Sequence, residues 1–418
     1  MANHVGCDMQ HLKHRLISAG LLLAAGAHPG WADDGFTDDL VEAVRSGKVG
    51  LDFRYRFEGV DQDDFSKDAE ASTLRSRISA TSGSLYGFTA LGEVDNVTVI
   101  GSDHYNSTVN GESQYPVVAD PKGTAVNQVY LKYTADSANG IYGRQQINYS
   151  NQRFVGGVAW RQNEQTFDGF RANWQALESV NLDYSYAYRV HRVFGPDDGT
   201  FPAEFDGDNH FLYVDWKVAE GHNIGAFGYY IEVDSQHSYP AAKTVNNSSQ
   251  TQGLEYVGKI SALNLRAAYA TQSDAGDSEL NYDADYYLVE LGGQLASVGL
   301  KAGYEVLAAG DGTGFATPLA TLHKFQGWAD KFLSTPGDGV EDLYFGLDAA
   351  AGPVKLAAVY HDFQAEDSSE DFGSEIDLSA TWPVNEYFTT ELKFAGFSTD
   401  SNRYEDTDKV WLTLQFKL

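Results

Sequence analysis

The chain has 418 residues and a formal charge of −30, with 42 glycines, 25 tyrosines and one cysteine. That acidity argues against an electrostatic nucleic-acid binder, and one cysteine excludes a disulfide scaffold. No run of eighteen apolar residues is present to form a membrane-spanning helix.

The first residues have their own pattern. "HLKHR" (11–15) is basic, "LISAGLLLAAGA" (16–27) is apolar, and Gly30 and Ala32 are small. Together they predict a secretory signal peptide over residues 1–32, cleaved after Ala32. Cys7 leaves with it, so the exported chain is expected to carry no cysteine. Residues 33–47 form a short N-terminal periplasmic segment in this reading. Within it "TDDLVEAVRSGK" (37–48) predicts an amphipathic helix, aspartates at its start and Lys48 at its end, as the helix dipole favours.

From residue 48 the period changes to two. In "VGLDFRYRFEG" (49–59), Leu51, Phe53, Tyr55 and Phe57 take one face, and Asp52, Arg54, Arg56 and Glu58 the other. "VNLDYSYAYRVH" (180–191) and "VWLTLQFKL" (410–418) alternate likewise. About eighteen such segments follow, among them 48–60, 72–84, 126–137, 139–149, 180–193, 298–309, 341–350 and 408–418. Each is about long enough to cross a bilayer as a tilted strand. Short turns such as "AEGHN" (219–223) alternate with long polar loops such as 99–125, 194–207, 235–249 and 310–340.

The fold class expected is all-β: a transmembrane antiparallel up-and-down barrel over 48–418, of about eighteen strands, with inward-folded loops. In hydrocarbon every backbone polar group needs a partner, which a closed barrel provides. Turns would face the periplasm and loops the exterior. Aromatics such as Tyr184, Trp216, Trp382 and Phe416 suit the interfacial girdles. A soluble β-sandwich also alternates, but the strand number and the alternating loop lengths disfavour it.

The chain has fourteen arginines, ten of them between 54 and 192. Alternation assigns Arg54, Arg56, Arg75, Arg77, Arg144, Arg171 and Arg189 to the polar, lumenal face. Arg54/Arg56 and Arg75/Arg77 lie on hairpin neighbours and should form one ladder. Guanidinium rows bind carboxylates bidentately, and rings of basic groups favour anions. Lumenal arginines also pair with lumenal acids simply to neutralise them. Both readings stand at this point.

Two loops are unusual. "NQRFVGGVAWRQNEQTF" (151–167) carries Arg153, Trp160, Arg161, Gln162 and Asn163 around a Gly–Gly pair. It is either a segment folded into the pore or an ordinary outer loop. "LATLHKFQGWADKFL" (319–333), with Lys324 and Trp328, has a partly helical amphipathic spacing and either constricts the mouth or packs on itself. Trp160, Gln162, Asn163, Lys324 and Trp328 are therefore the constriction-loop candidates. Acidic loop runs such as "DQDDFSKD" (61–68) suit a solvated face bridged by divalent ions to lipopolysaccharide. No metal, cofactor or catalytic constellation is expected, and no enzyme, because no histidine belongs to a nucleophile motif.

"TLRSRI" (73–78), "VVADPKGTAVNQVYL" (117–131), "QRFVGGVAWRQNEQTFDGF" (152–170) and "TPLATLHKFQGWADKFLSTP" (317–336) resemble the alginate-export family of outer-membrane porins. The resemblance implies a monomeric eighteen-stranded barrel. In the founding exporter it implies an arginine- and lysine-lined pore that passes an anionic uronic-acid polymer. It makes Arg54, Arg56, Arg75, Arg77, Arg144, Arg153, Arg161 and Arg171 pore candidates. The function expected is passive diffusion of small hydrophilic or anionic solutes across the outer membrane of a Gram-negative bacterium. Export of an acidic polysaccharide and a non-conducting adhesive barrel are the alternatives.

Overall fold

The structure is a computed structural model and describes residues 34–234 and 248–418. The leader predicted over 1–32, and most of the loop 235–249, lie outside the described residues. A helix, α1 (Asp34–Arg45), opens the described chain. The strands that follow are β1 (Lys48–Gln62), β2 (Ala69–Thr81), β3 (Phe88–His104), β4 (Gly123–Thr134), β5 (Ala138–Gln145), β6 (Thr166–Leu177) and β7 (Val180–His191). Next come β8 (Glu204–Ala219), β9 (His222–Ile231), β10 (Ser249–Ile260), β11 (Leu263–Asp274), β12 (Asp283–Leu295) and β13 (Val298–Leu307). A small hairpin, β14 (Ala309–Gly310) with β15 (Thr313–Gly314), precedes β16 (Val340–Ala351), β17 (Val354–Gln364), β18 (Asp371–Pro383), β19 (Phe388–Thr399) and β20 (Thr407–Lys417).

Eighteen strands, all but β14 and β15, form one sheet in which sequence neighbours pair antiparallel. The sheet closes where β20 pairs with β1, Phe416 opposite Phe53 and Gln415 opposite Arg54. Closure leaves no edge strand, as hydrocarbon demands. Among the described residues no helix is long and apolar enough to cross a membrane.

Residues directly opposite across a ladder share a face. The register sets Arg54 against Arg75 and Asp52 against Arg77, which makes the expected ladder contiguous and inward-facing. The outer wall carries Ile78, Leu131, Trp216, Leu254, Phe345 and Trp382, all exposed on the chain alone, as a lipid-facing surface requires. The interior differs between its ends. Towards the loops it is a packed core that includes Phe167, Phe211, Tyr229, Tyr286 and Phe363. Towards the turns inward positions such as Lys217 and Lys259 are exposed.

Three boundaries differ from the sequence reading. The helix begins and ends three residues early, and Lys48 opens β1 instead of closing α1. The segment expected as a strand over 139–149 leaves the wall after Gln145 and turns inward. Residues 319–333 hold only one 3-10 turn, Leu322–Lys324, instead of an amphipathic helix. Positive φ angles at Gln326, Gly327 and Asp330 break any longer helix.

Candidate functional site

Two segments, 146–165 after β5 and 315–339 after β15, are held to each other by backbone pairing. Gly156 N–H donates to the Leu319 carbonyl at 2.9 Å and Thr321 N–H to the Gln152 carbonyl at 3.1 Å. A Cβ at Gly156 would stand 2.4 Å from Thr321 Oγ1, so the Gly–Gly pair is what lets the two backbones meet. A third segment, 105–122 after β3, joins them: Gln162 N–H donates to Asp120 Oδ1 at 2.9 Å.

The arginine ladder grips the first segment. Arg54 donates to the Ala159 carbonyl at 2.9 Å, to Gln162 Oε1 at 3.0 Å and to the Arg161 carbonyl. Arg56 donates to the Trp160 carbonyl, lies 3.3 Å from Glu58 and stacks over the Trp160 ring at 4.6 Å. Arg75 binds Asp52 at 2.8 Å and Arg77 binds Asp95 through two contacts at 2.7 and 2.6 Å. Both also reach Glu164 of the segment, at 3.5 and 2.9 Å. Gln162 is fully buried and its amide donates to Thr73 Oγ1 at 2.9 Å. Asn163 donates to the Gly195 carbonyl at 3.0 Å, which ties in the β7–β8 loop.

Arg153 and Arg161 sit on the segment itself, not on the wall. Arg153, 1% exposed, reaches across to Glu305 of β13 at 2.7 Å and to Thr317 and Gln326 of the second segment at 3.2 and 3.1 Å. Arg161 binds Glu58 at 2.9 Å and lies 3.6 Å from Asp120 and 3.8 Å from Asp330. The second segment docks on carboxylates of β18: Ala329 N–H donates to Glu375 at 2.7 Å and Trp328 N–H to Asp377 at 3.2 Å. Lys324 donates to the Asn151 carbonyl at 3.0 Å.

Where the segments meet, the His323 ring lies flat on Trp160, 3.4 Å between centroids. Its Nδ1 lies 2.8 Å from Asp330 and its Nε2 lies 2.9 Å from the Lys393 ammonium. Lys409 binds the other oxygen of Asp330 at 2.9 Å. Burial, and then the Lys393 charge, hold the His323 imidazole well below its ordinary value. Burial pushes Asp330 the other way, but Lys409 and His323 outweigh it, so Asp330 stays below the usual carboxylate range.

Arg171 faces inward as expected and binds Asp183 at 2.7 Å. Arg144 and Arg189 do not line the lumen. Arg144 is opposite Val129 on β4, which is 53% exposed, and opposite Asp168 on β6, two residues from outward Phe170. Arg189 follows a bulge in β7 that reverses the alternation and sets it against Asp206. Both arginines belong to an outer-wall cluster, Arg144 with Asp168 at 2.8 Å and Arg189 with Asp206 and Glu204.

Charges that spacing did not single out complete the interior: Glu164, Asp120, Asp330, His323, Lys393 and Lys409. Glu164 lies inside the quoted loop phrase and could have been read as the ladder's counter-charge. The two lysines carry no local signal. Towards the turns further cations of the lumen keep water contact besides Lys217 and Lys259. Arg266 binds Glu255 at 2.7 Å, Lys301 lies 3.7 Å from Glu290 with 42% of its side chain exposed, and Lys324 is exposed on the underside of the second segment. Arg266 and Lys301, after burial, depress the Lys324 ammonium. Beside them a recess of about 470 Å³ opens between Ser150, Tyr213, Asp215, Glu255, Lys259 and Asn264.

The chain is similar in structure to three solved barrels at low sequence identity. Pseudomonas aeruginosa OccK3 (OpdO) aligns with a TM-score of 0.66 at 13% identity, over 92% of this chain and 99% of that one. P. aeruginosa OccD3 (OpdP) gives 0.67 at 13%, over 90% and 92%. Acinetobacter baumannii OccAB2 gives 0.67 at 14%, over 90% and 99%. These likenesses establish the fold. No curated protein sequence matches. The sequence model described as "Alginate export" matches residues 46–313, from just before β1 to the start of β15 and including the first inserted segment. That span is more than half of the chain, and the protein belongs to the alginate export family.

Proposed function

We propose that this outer-membrane barrel is a channel for passive diffusion of small hydrophilic solutes, with a preference for anions. The observation that carries the reading is the pairing of a closed wall, apolar on its outer face, with an interior that two inserted segments narrow towards the loops and that stays polar and open towards the turns. A purely structural barrel has no need of a water-exposed vestibule lined by Lys217, Lys259, Lys301 and Lys324. The anion preference is assigned to Arg266, Lys301 and Lys324, whose cations meet water. Arg54, Arg56, Arg75 and Arg77 act on solutes only indirectly, by fixing the segment that narrows the lumen.

Because one chain closes the barrel, the monomer is the proposed unit. Lipopolysaccharide is the proposed partner of the outer rim, where Asp61 stands opposite Asp408 across the β1–β20 ladder and divalent ions would relieve the repulsion. Catalysis has no part in this reading.

Single-channel recording in a planar bilayer tests it. Open events with an anion-selective reversal potential are expected, and exchanging Lys301 and Lys324 for glutamine should move that potential towards zero. A barrel without conductance would overturn the channel reading. The family match favours a second reading, export of an acidic polysaccharide. Block of the current by uronate oligomers, but not by neutral sugars, would support export. Cation selectivity without uronate block would remove it.

A further inference from the structure

Helix α1 stands at the turn end of the barrel and, among the described residues, is tied to the β2–β3 turn along one edge. Gly83 N–H, in the β2–β3 turn, donates to the Ala43 carbonyl at 2.7 Å. Near the other end Tyr86 O–H donates to Asp39 at 2.5 Å, and the Phe36 ring stacks on Tyr86 at 6.5 Å. Two residues separate the helix from β1, so Arg45 cannot lie more than about 11 Å from the start of the wall at Lys48. The attachments therefore run from the base of β1 to the base of β3, two strand spacings or about 10 Å apart. A helix of this length, about 18 Å, lies along the rim and does not reach across the mouth.

Its faces are unequal. Phe36, Leu40, Ala43 and Val44 recur at three- and four-residue spacing, with Val41 beside them. Asp38, Asp39, Glu42 and Arg45 take the other side. Ala43 is covered by the turn, yet Leu40, Val41 and Val44 are 44%, 40% and 70% exposed. This open stripe continues into the outer wall. The next apolar residue of the chain, Val49, is 71% exposed on the outward face of β1, and outward Ile78 and Phe88 flank the same turn.

We infer that α1 is a membrane-contacting foot, lying in the headgroup layer of the inner leaflet with Leu40, Val41 and Val44 against acyl chains. Continuity with the lipid-facing wall selects this occupant. An amphipathic helix parallel to the bilayer buries its apolar stripe about 5–10 Å deep and keeps its charged side in water. The helix extends the lipid contact of the first hairpin beyond Val49, and it fixes the depth of the β1–β3 rim. The inference rests on the outer-membrane barrel but not on what the barrel conducts.

Because Cys7 is the only cysteine, a full chain carrying Cys7→Ser accepts single labels cleanly. Nitroxides at Val41→Cys, Val44→Cys, Glu42→Cys and, as the wall reference, Leu254→Cys can be compared in phosphatidylethanolamine–phosphatidylglycerol vesicles. The readout is the ratio of collision with oxygen to collision with a water-soluble nickel chelate. Labels at Val41 and Val44 should match Leu254, and the label at Glu42 should favour the chelate. Chelate access at Val44 equal to that at Glu42 would place the helix in water and overturn the inference. Shielding of Val44 from both reagents would also overturn it, because a protein surface or a second copy would then cover the stripe. Failure at Leu254 would instead strike the barrel reading itself.

Discussion

The two halves of the inner wall hold the inserted segments by opposite chemistry. On β1 and β2 the wall donates: Arg54 and Arg56 reach backbone carbonyls of residues 159–161, and Arg75 and Arg77 reach Glu164. On β13 and β18 the wall accepts: Glu305 takes Arg153, and Glu375 and Asp377 take the N–H groups of Ala329 and Trp328. A segment with both kinds of backbone group must be met by both kinds of wall, since a buried backbone group left unpaired is costly. The difference teaches that each stretch of wall is matched to the groups of the segment it meets. Carbonyls and Glu164 meet arginines, Arg153 and N–H groups meet carboxylates, and on β1 itself Glu58 accepts from Arg161.

That comparison can be broken at one point on each side. The largest effect is expected for Arg153→Ala, which removes the charge partner of buried Glu305 and one of the links between the segments. Breaking one partner of a buried pair costs about 3–5 kcal/mol. The segments should then become protease-sensitive while the barrel survives, and single-channel current should grow and turn noisy. On the donor side Glu164→Gln removes the negative charge that Arg75 and Arg77 share at one oxygen, a loss of about 1.5–3 kcal/mol for a charge-assisted bond. Proteolysis within residues 146–165 should rise, with less change at 315–339.

The contact between the segments should respond to pH through His323. Its docked value is depressed, so the undocked state binds a proton first as pH falls. The contribution is therefore full above about pH 6.5, the ordinary histidine value. It is lost below that by up to about 1.4 kcal/mol per pH unit until the docked ring protonates. Current noise should increase between pH 7 and pH 5, and His323→Asn should flatten that dependence. The smallest effect belongs to the outer wall. Arg189→Gln removes a partly exposed pair worth about 0–1 kcal/mol, and should leave conductance and ion preference unchanged. A shift in reversal potential would return Arg189 to the lumen.

Much of this was legible in the sequence. Period-two alternation, with short turns against long loops, located the strands, because a wall between lipid and water has no other way to be built. The inward direction of Arg54, Arg56, Arg75 and Arg77 followed from the same period. Arg189 was misplaced because alternation holds only until a bulge, and the bulge after Ala187 leaves no mark in composition. Arg144 keeps the parity of Tyr142, which stands opposite outward Leu131 and Phe170, so a charge on that face read as lumenal. The helical spacing of residues 319–333 misled for another reason. Its apolar residues serve as separate anchors, Leu319 and Phe332 in the core and Trp328 under Lys393, and tertiary contacts override the local pattern. The contact of Arg153 with Glu305, 152 residues apart, is set by the closure of the barrel and has no local signature at all.

The central claim is that the arginine ladder shapes the lumen by gripping residues 159–164 and is not itself the surface that selects ions. Planar-bilayer recording of the Arg54→Gln/Arg75→Gln double variant tests it most directly. The expected result is a larger and noisier current with the anion preference nearly intact. An unchanged current with a lost anion preference would contradict it, because the ladder would then be meeting the solute itself.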